Sequence, residues 1–525
     1  MRERPERTTV AHARDVRPDE WYAISEPMTV AETPNEASGD RGGGARELRR
    51  IPTGVPGLDT VLAGGLFEAG LYMVQGPPGA GKTILGNQIC FHQAAQQRRT
   101  VYYTLLTEAH DRMIAFVQPL RFFDPAAVPE RVSYVSGFQV LEAHGLSGIV
   151  RNLGEILGAE RPTILVIDGV VTATEAAPTG TAFKKFLHEL QTLAAMFRTT
   201  ILLLTSTRGA ARTEAEHTMV DGIIELAMSV VRLKLRRTLH VRKLRGAGQI
   251  GGTHTFEIGD AGITVLPRIE TLLAARAPRL PPASAARRAF DIPALDALLG
   301  GGIPAGSNTM LIGPSGAGKT VLGLHFLAAG AAAGEPGLLV TFYEQPGELI
   351  AKATRLGLAS FGPAIERGLL RILRLPSVEA NIDRIGNDLL AVSNEARPAR
   401  IFLDGLHGFQ STTDAPDRID DILAAASDYL VSHGVTLVFT VETPELLGDP
   451  VLRVPFQNAS RICQNILALR FAELGGRLRR LFSVIKLRDS GFDPTVRELI
   501  IGDRGIELGD PIASAQPPVG GGVPL

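Results

Sequence analysis

The chain has 525 residues, of which 45% are hydrophobic and 21% charged, and its net charge is −1. That length carries several domains with sizeable cores, and the composition excludes a collagen-like or low-complexity protein. The balance of charge excludes a global electrostatic pull toward nucleic acid or acidic lipid.

Residues 1–45 are rich in Arg, Glu, Pro and Gly and lack hydrophobic periodicity, which predicts a disordered tail. No apolar run follows the charged start "MRERPERTTV", and runs such as "TILLLT" are too short to span a bilayer. A cytoplasmic protein without membrane contact is expected. The two cysteines, Cys90 and Cys463, lie far apart and read as small buried residues of a reducing compartment.

From residue 46 short apolar runs alternate with helical patterns, the sign of a mainly parallel sheet flanked by helices. "LYMVQG" predicts a strand, followed by "GPPGAGKT" and a helix through "TILGNQICFHQAA". Strands are expected at "VYYTLL", "RVSYVSG", "TILVID" and "TILLLT". Between the last two, Phe183, Phe186, Leu187, Leu190, Leu193 and Phe197 fall on one face of a helix. "GIIELAM", "RTLHVRKLR", "THTFEIG" and "GITVL" follow without helices and predict an antiparallel C-terminal extension. This first α/β domain spans 46–268, and the Ala/Pro/Arg-rich stretch 269–289 reads as a linker.

Residues 290–510 then repeat the first domain, and 511–525 form a Gly/Pro tail expected to be disordered. Asp59 corresponds to Asp296 and Lys82 to Lys319 at an offset of 237, and Asp168 corresponds to Asp404 at 236. Near-constant offsets across dispersed motifs mark a duplicated domain.

Both octets fit G-x-x-x-x-G-K-T between a strand and a helix, the setting of a P-loop. The first comprises Gly76, Pro77, Pro78, Gly79, Ala80, Gly81, Lys82 and Thr83; the second Gly313, Pro314, Ser315, Gly316, Ala317, Gly318, Lys319 and Thr320. Glycines let backbone N–H groups wrap a phosphate, and the helix N-terminus adds its positive dipole end. Lysine reaches the β- and γ-phosphates of ATP, and the threonine hydroxyl ligates Mg²⁺. Asp168 and Asp404 end buried strands beside these loops, where a carboxylate holds Mg²⁺ through water.

Glu108 in "LLTEAH" and Glu344 in "TFYEQP" are equivalent at offset 236 and stand where a carboxylate accepts a hydrogen bond from an attacking water. Lys243 and Arg245, like Lys486 and Arg488, are two apart on predicted strands. That spacing aims both cations from one face. They suit either a neighbouring subunit's γ-phosphate or the guarding of an edge strand.

These motifs resemble KaiC-type ATPases, the double-domain branch of the RecA superfamily. The resemblance covers about 46–512 and rests on "GLDTVLAGGL" and "ALDALLGGGIPAG", both octets, "VIDG" and "FLDG", and "KLRG" followed by "THTFEIGDAGITVLP". It implies two tandem RecA-like P-loop domains in a homo-hexameric two-tier ring, with ATP between subunits and slow hydrolysis. It makes Lys243, Arg245, Lys486 and Arg488 trans-acting contacts. In some members it implies serine/threonine autophosphorylation in the second tier, for which Ser460 is the candidate acceptor. The family often carries two adjacent glutamates where this chain has Thr107–Glu108 and Tyr343–Glu344, and Arg461 stands where an acceptor threonine would follow Ser460. The expected function is therefore an ATPase switch whose nucleotide state sets affinity for a signalling protein. An autokinase is the alternative and a DNA-handling motor the lesser one. The basic stretch "RLKLRRTLHVRKLRG" lacks the aromatics that single-strand binding uses.

Overall fold

The continuous apolar runs become buried parallel strands in a computed structural model. It describes residues 49–107, 110–206, 218–231, 233–246, 248–276, 285–375, 381–406, 417–443, 463–474, 476–488, 490–503 and 505–512. The expected N-terminal tail and nearly all of the C-terminal one lie outside these residues.

Arg50–Ile51 (β1) pairs antiparallel with Leu66–Phe67 (β2). The first main sheet has nine strands: Leu71–Gln75 (β3), Thr100–Thr104 (β4), Val132–Ser136 (β5), Ile164–Asp168 (β6), Thr200–Thr205 (β7), Gly222–Val231 (β8), Lys234–Leu244 (β9), Thr253–Gly259 (β10) and Gly262–Leu266 (β11). Their order is β11-β10-β9-β8-β3-β7-β6-β4-β5. The strands from β8 to β5 are parallel. β9, β10 and β11 continue antiparallel. The expected extension thus begins one strand later, because β8 ("GIIELAM") runs parallel along the second flank of β3. Periodicity reports which side chains are buried, not which neighbour a strand finds.

The second half repeats the plan. Arg287–Arg288 (β12) pairs with Ile303–Pro304 (β13). Nine strands follow: Asn308–Gly313 (β14), Gly337–Thr341 (β15), Leu370–Arg374 (β16), Arg400–Asp404 (β17), Thr436–Glu442 (β18), Asn465–Leu474 (β19), Arg477–Leu487 (β20), Arg497–Gly502 (β21) and Gly505–Pro511 (β22). Their order, β16-β15-β17-β18-β14-β19-β20-β21-β22, matches the first sheet strand for strand. The fold is therefore two tandem RecA-like α/β domains.

Helices cover both faces of each sheet. Helix Gly180–Phe197 buries Phe183, Phe186, Leu187 and Leu190, with Leu193 and Phe197 half-buried at the rim. Thr179 caps it by accepting the Ala182 N–H at 3.1 Å. Both cysteines are buried and unpaired, and burial pushes each thiol up to about 12. Among the described residues no helix is long and apolar enough to cross a membrane.

The stretch expected as a linker opens instead with helix Ile269–Arg276. Ile269, Leu272 and Leu273 are buried against Ile385 and Leu389 in the core of the second half. Their i, i+3, i+4 spacing is an apolar helical stripe, masked by the Ala/Pro/Arg-rich residues around it. Beside this helix, Arg418 donates to Glu270 Oε2 at 2.9 Å and to Asp383 Oδ1 at 2.6 Å. Arg268 also donates to Glu270, at 2.6 Å. Asp383 further accepts the Ile269 N–H at 3.2 Å and the Thr255 hydroxyl at 3.3 Å. This polar knot joins β10 of the first half to the helices Ile382–Ala396 and Asp417–Ser432 of the second.

Two buried imidazoles serve as fixed acceptors. His254 Nδ1 accepts the Arg268 N–H at 3.0 Å, and His325 Nε2 accepts the Ile506 N–H at 3.2 Å. Burial lowers both pKa values below the ordinary 6.5. An unfolded histidine takes up a proton near 6.5, whereas these do so only at lower pH. The unfolded state thus binds more protons as pH falls through and below 6.5, and stability is lost in that direction. His325→Gln keeps an acceptor for Ile506 but cannot titrate. Urea midpoints compared from about pH 7.5 to 5.5 are expected to fall less steeply for this variant than for the parent. Equal slopes would remove His325 from the acid response.

Candidate phosphate-binding sites

Each octet sits at the C-terminal end of the central parallel strand of its sheet, β3 or β14. A Cβ on Gly76 would lie 2.4 Å from the Leu226 carbonyl oxygen, and one on Gly313 would lie 2.3 Å from that of Leu469. These glycines let the loop leave its strand hard against the neighbouring parallel strand. Gly81 and Gly318, with φ of 98° and 107°, begin the helices Lys82–Ala95 and Lys319–Ala332 in the left-handed region. The positive ends of both helices therefore face the loops.

The lysines fold back over their own loops. Lys82 Nζ donates to the carbonyls of Gly76 and Pro77 at 2.7 and 2.9 Å. Lys319 Nζ donates to those of Gly313 and Pro314, both at 2.7 Å. Burial lowers the pKa of each, with Asp168 opposing at Lys82, and Glu442 and then Asp404 opposing at Lys319.

The strand-end aspartates meet the loop threonines. Thr83 donates to Asp168 Oδ2 at 3.2 Å, and Thr320 donates to Asp404 Oδ2 at 2.7 Å. Burial raises both carboxyls, against the hydrogen bonds they accept. The further partners differ between halves. Tyr102 donates its hydroxyl to Asp168 Oδ2 at 2.7 Å, whereas Thr440 donates to Asp404 Oδ1 at 2.9 Å. Neither partner was foreseen, although the pair "YY" inside an otherwise aliphatic strand is a visible polar signal. Asp59 and Asp296, matched by their offset, turn out to be loop anchors. Asp59 accepts the Thr53 N–H at 2.8 Å, and Asp296 that of Phe290 at 2.8 Å.

In the second half a cleft of about 350 Å³ opens over the loop, lined by Lys319, Thr320, Glu344, Lys352, Asp404 and Glu442 among others. Glu344 is thus brought together with the loop and Asp404. Lys352 and Glu442 were missed from sequence, since neither belongs to a repeated motif. Glu108 lies outside the described residues, as does Ser460.

The paired cations lie elsewhere. Lys243, in β9, and Arg245, just past it, both donate to the Thr218 carbonyl, at 3.2 and 2.7 Å. Two strands of the order separate β9 from β7, with β3 and its loop next to β8. Burial and then the neighbouring Arg245 lower the pKa of Lys243. Lys486 donates to the Cys463 carbonyl at 2.8 Å, and the Arg488 N–H donates to Asn465 Oδ1 at 3.2 Å. None of the four cations lines the cleft of its own chain's second half.

A family model described as "ATPase: KaiC" matches the chain twice, over residues 51–270 and 290–512. The chain is 24% identical to the circadian clock oscillator protein KaiC of Picosynechococcus sp. over 488 residues, covering 91% of this chain and 92% of that protein. It is 23% identical to the protein of the same name from Synechococcus elongatus, over 88% of this chain and 89% of that one. For Prochlorococcus marinus the identity is 25%, over 88% and 93%.

Proposed function

The chain belongs to the KaiC family of ATPases, and from that premise we propose that it binds ATP in both halves and hydrolyses it slowly between the subunits of a homo-oligomeric ring. The observation that carries this reading is the doubled threonine–aspartate pair beneath a glycine loop and a helix N-terminus. A hydroxyl beside a carboxylate offers the hard oxygen donors that suit Mg²⁺. Thr83 with Asp168, and Thr320 with Asp404, would hold that ion, which when bound neutralises charge on the phosphate oxygens. The loop amides and Lys82 or Lys319 bind and orient the triphosphate. Glu108 and Glu344 orient the attacking water. Lys243, Arg245, Lys486 and Arg488 would complete a neighbour's site, which fits their placement away from their own chain's second-half cleft. Nucleotide occupancy then sets the ring's affinity for a signalling protein.

The test combines sizing with turnover. The purified chain is expected to assemble into a ring in MgATP, and Glu108→Gln with Glu344→Gln is expected to cut phosphate release by about 10²–10⁴-fold while nucleotide binding is spared. A chain that stays monomeric, or a double variant that turns over at the parent rate, would overturn the reading. Intact mass after incubation with MgATP separates the autokinase alternative, which requires phosphate on Ser460.

A further inference from the structure

Glu344 is not presented alone to the cleft. Lys352 Nζ donates to both of its carboxylate oxygens, at 2.6 and 2.5 Å. The two side chains are 28% and 30% exposed, and both line the cleft with Lys319, Thr320 and Asp404. Lys352 stands on helix Pro346–Arg355, whose start is fixed by Pro346 and by the reciprocal Gln345–Glu348 capping box. The ammonium is therefore delivered to Glu344 by a held backbone. A carboxylate that orients water must direct an oxygen lone pair at it. One ammonium bridging both oxygens competes for those lone pairs.

The first half is built differently at this point. The offset of 236 that relates Glu108 to Glu344 carries Lys352 onto Phe116. That side chain is 63% exposed and packs beneath the Arg112 guanidinium. A phenyl ring offers no ammonium to a carboxylate, so the duplication has not kept this contact.

We propose that Lys352 is a positioning residue that restrains Glu344 and brakes hydrolysis in the second half, a restraint the first half lacks at the matching position. This rests on Glu344 being the water-orienting carboxylate. In the step concerned, the water oxygen bonds to the γ-phosphorus while the bond from that phosphorus to the β–γ bridging oxygen breaks. ADP departs with the bridging oxygen, and a proton of the attacking water passes through the Glu344 carboxylate to the solvent. Only when Lys352 swings off one oxygen is Glu344 able to accept that water's hydrogen bond.

The experiment uses the full chain carrying Lys82→Ala, so that turnover reports the second half. Adding Lys352→Met is expected to raise kcat about tenfold with KM for ATP changed by less than about twofold, equivalent to about 1.4 kcal/mol off the barrier. Lys352→Arg, which restores a cation, is expected to return the rate toward the slow parent. An ion-pair brake also weakens with salt. The Lys82→Ala parent should therefore speed up between about 0.05 and 0.5 M KCl relative to its Lys352→Met derivative. An unchanged or lower kcat in Lys352→Met overturns the brake, and a lower kcat with raised KM makes Lys352 a phosphate ligand instead. Adding Glu344→Gln to Lys352→Met tests the underlying reading separately. If that combination still turns over at the Lys352→Met rate, Glu344 is not the water-orienting group. If Glu344→Gln abolishes turnover but Lys352→Met fails to accelerate it, the brake alone falls.

Discussion

ATP turnover is expected to fall by about 10²–10³-fold in the double variant Lys82→Ala, Lys319→Ala, the loss typical of removing a charge-stabilising donor from a site. Each ammonium is anchored by two carbonyls of its own loop at 2.7–2.9 Å. Its tip is thereby fixed where the loop and the helix N-terminus converge, and little reorganisation precedes contact with a phosphate. Alanine leaves the loop amides in place, so the backbone cradle survives while the mobile charge is lost. Affinity for a fluorescent ATP analogue should drop as well, since the lysine contacts phosphate before and during the reaction. The single variants apportion turnover between the halves. Parent-like phosphate release from the double variant would take the glycine loops out of the chemistry.

Arg418→Met is expected to destabilise the chain by about 3–5 kcal/mol, the usual cost of removing one partner from a buried ionic group. Burial works against the Arg418 charge, but hydrogen bonds from Glu270 and Asp383 more than offset it and hold the guanidinium protonated. Glu270 is likewise desolvated, yet its contacts with Arg418 and Arg268 keep its pKa low. Asp383 is 0% exposed and Glu270 7%. Methionine would leave two carboxylates facing each other without their shared cation. The first transition of a urea titration is expected to shift to lower denaturant. Replacing Arg418, Glu270 and Asp383 together by apolar residues should cost less than the single change, because no charge is then stranded. If the single change leaves the first transition in place, the knot contributes nothing to holding the halves.

Legibility in the sequence followed the range of the physics. The octets, Asp168 and Asp404, and the face of helix Gly180–Phe197 were readable because each is a local pattern with a mechanism. The duplication was readable because its offset scarcely drifts. Contacts that need tertiary placement were not. Lys352 reaches Glu344 across the turns of a helix recognisable only as a helix. Arg418 meets Glu270 from 148 positions away. Thr440 replaces Tyr102 as an anchor without any motif changing. Strand direction at β8 depended on a partner brought in by the fold.

Helix Ile269–Arg276 places apolar side chains of the chain's middle into a core otherwise built from residues beyond Asn308. On the ribosome those side chains emerge long before the strands that will receive them. The nascent first half must therefore carry an oily segment in waiting, and the second half closes its core only by capturing something already made.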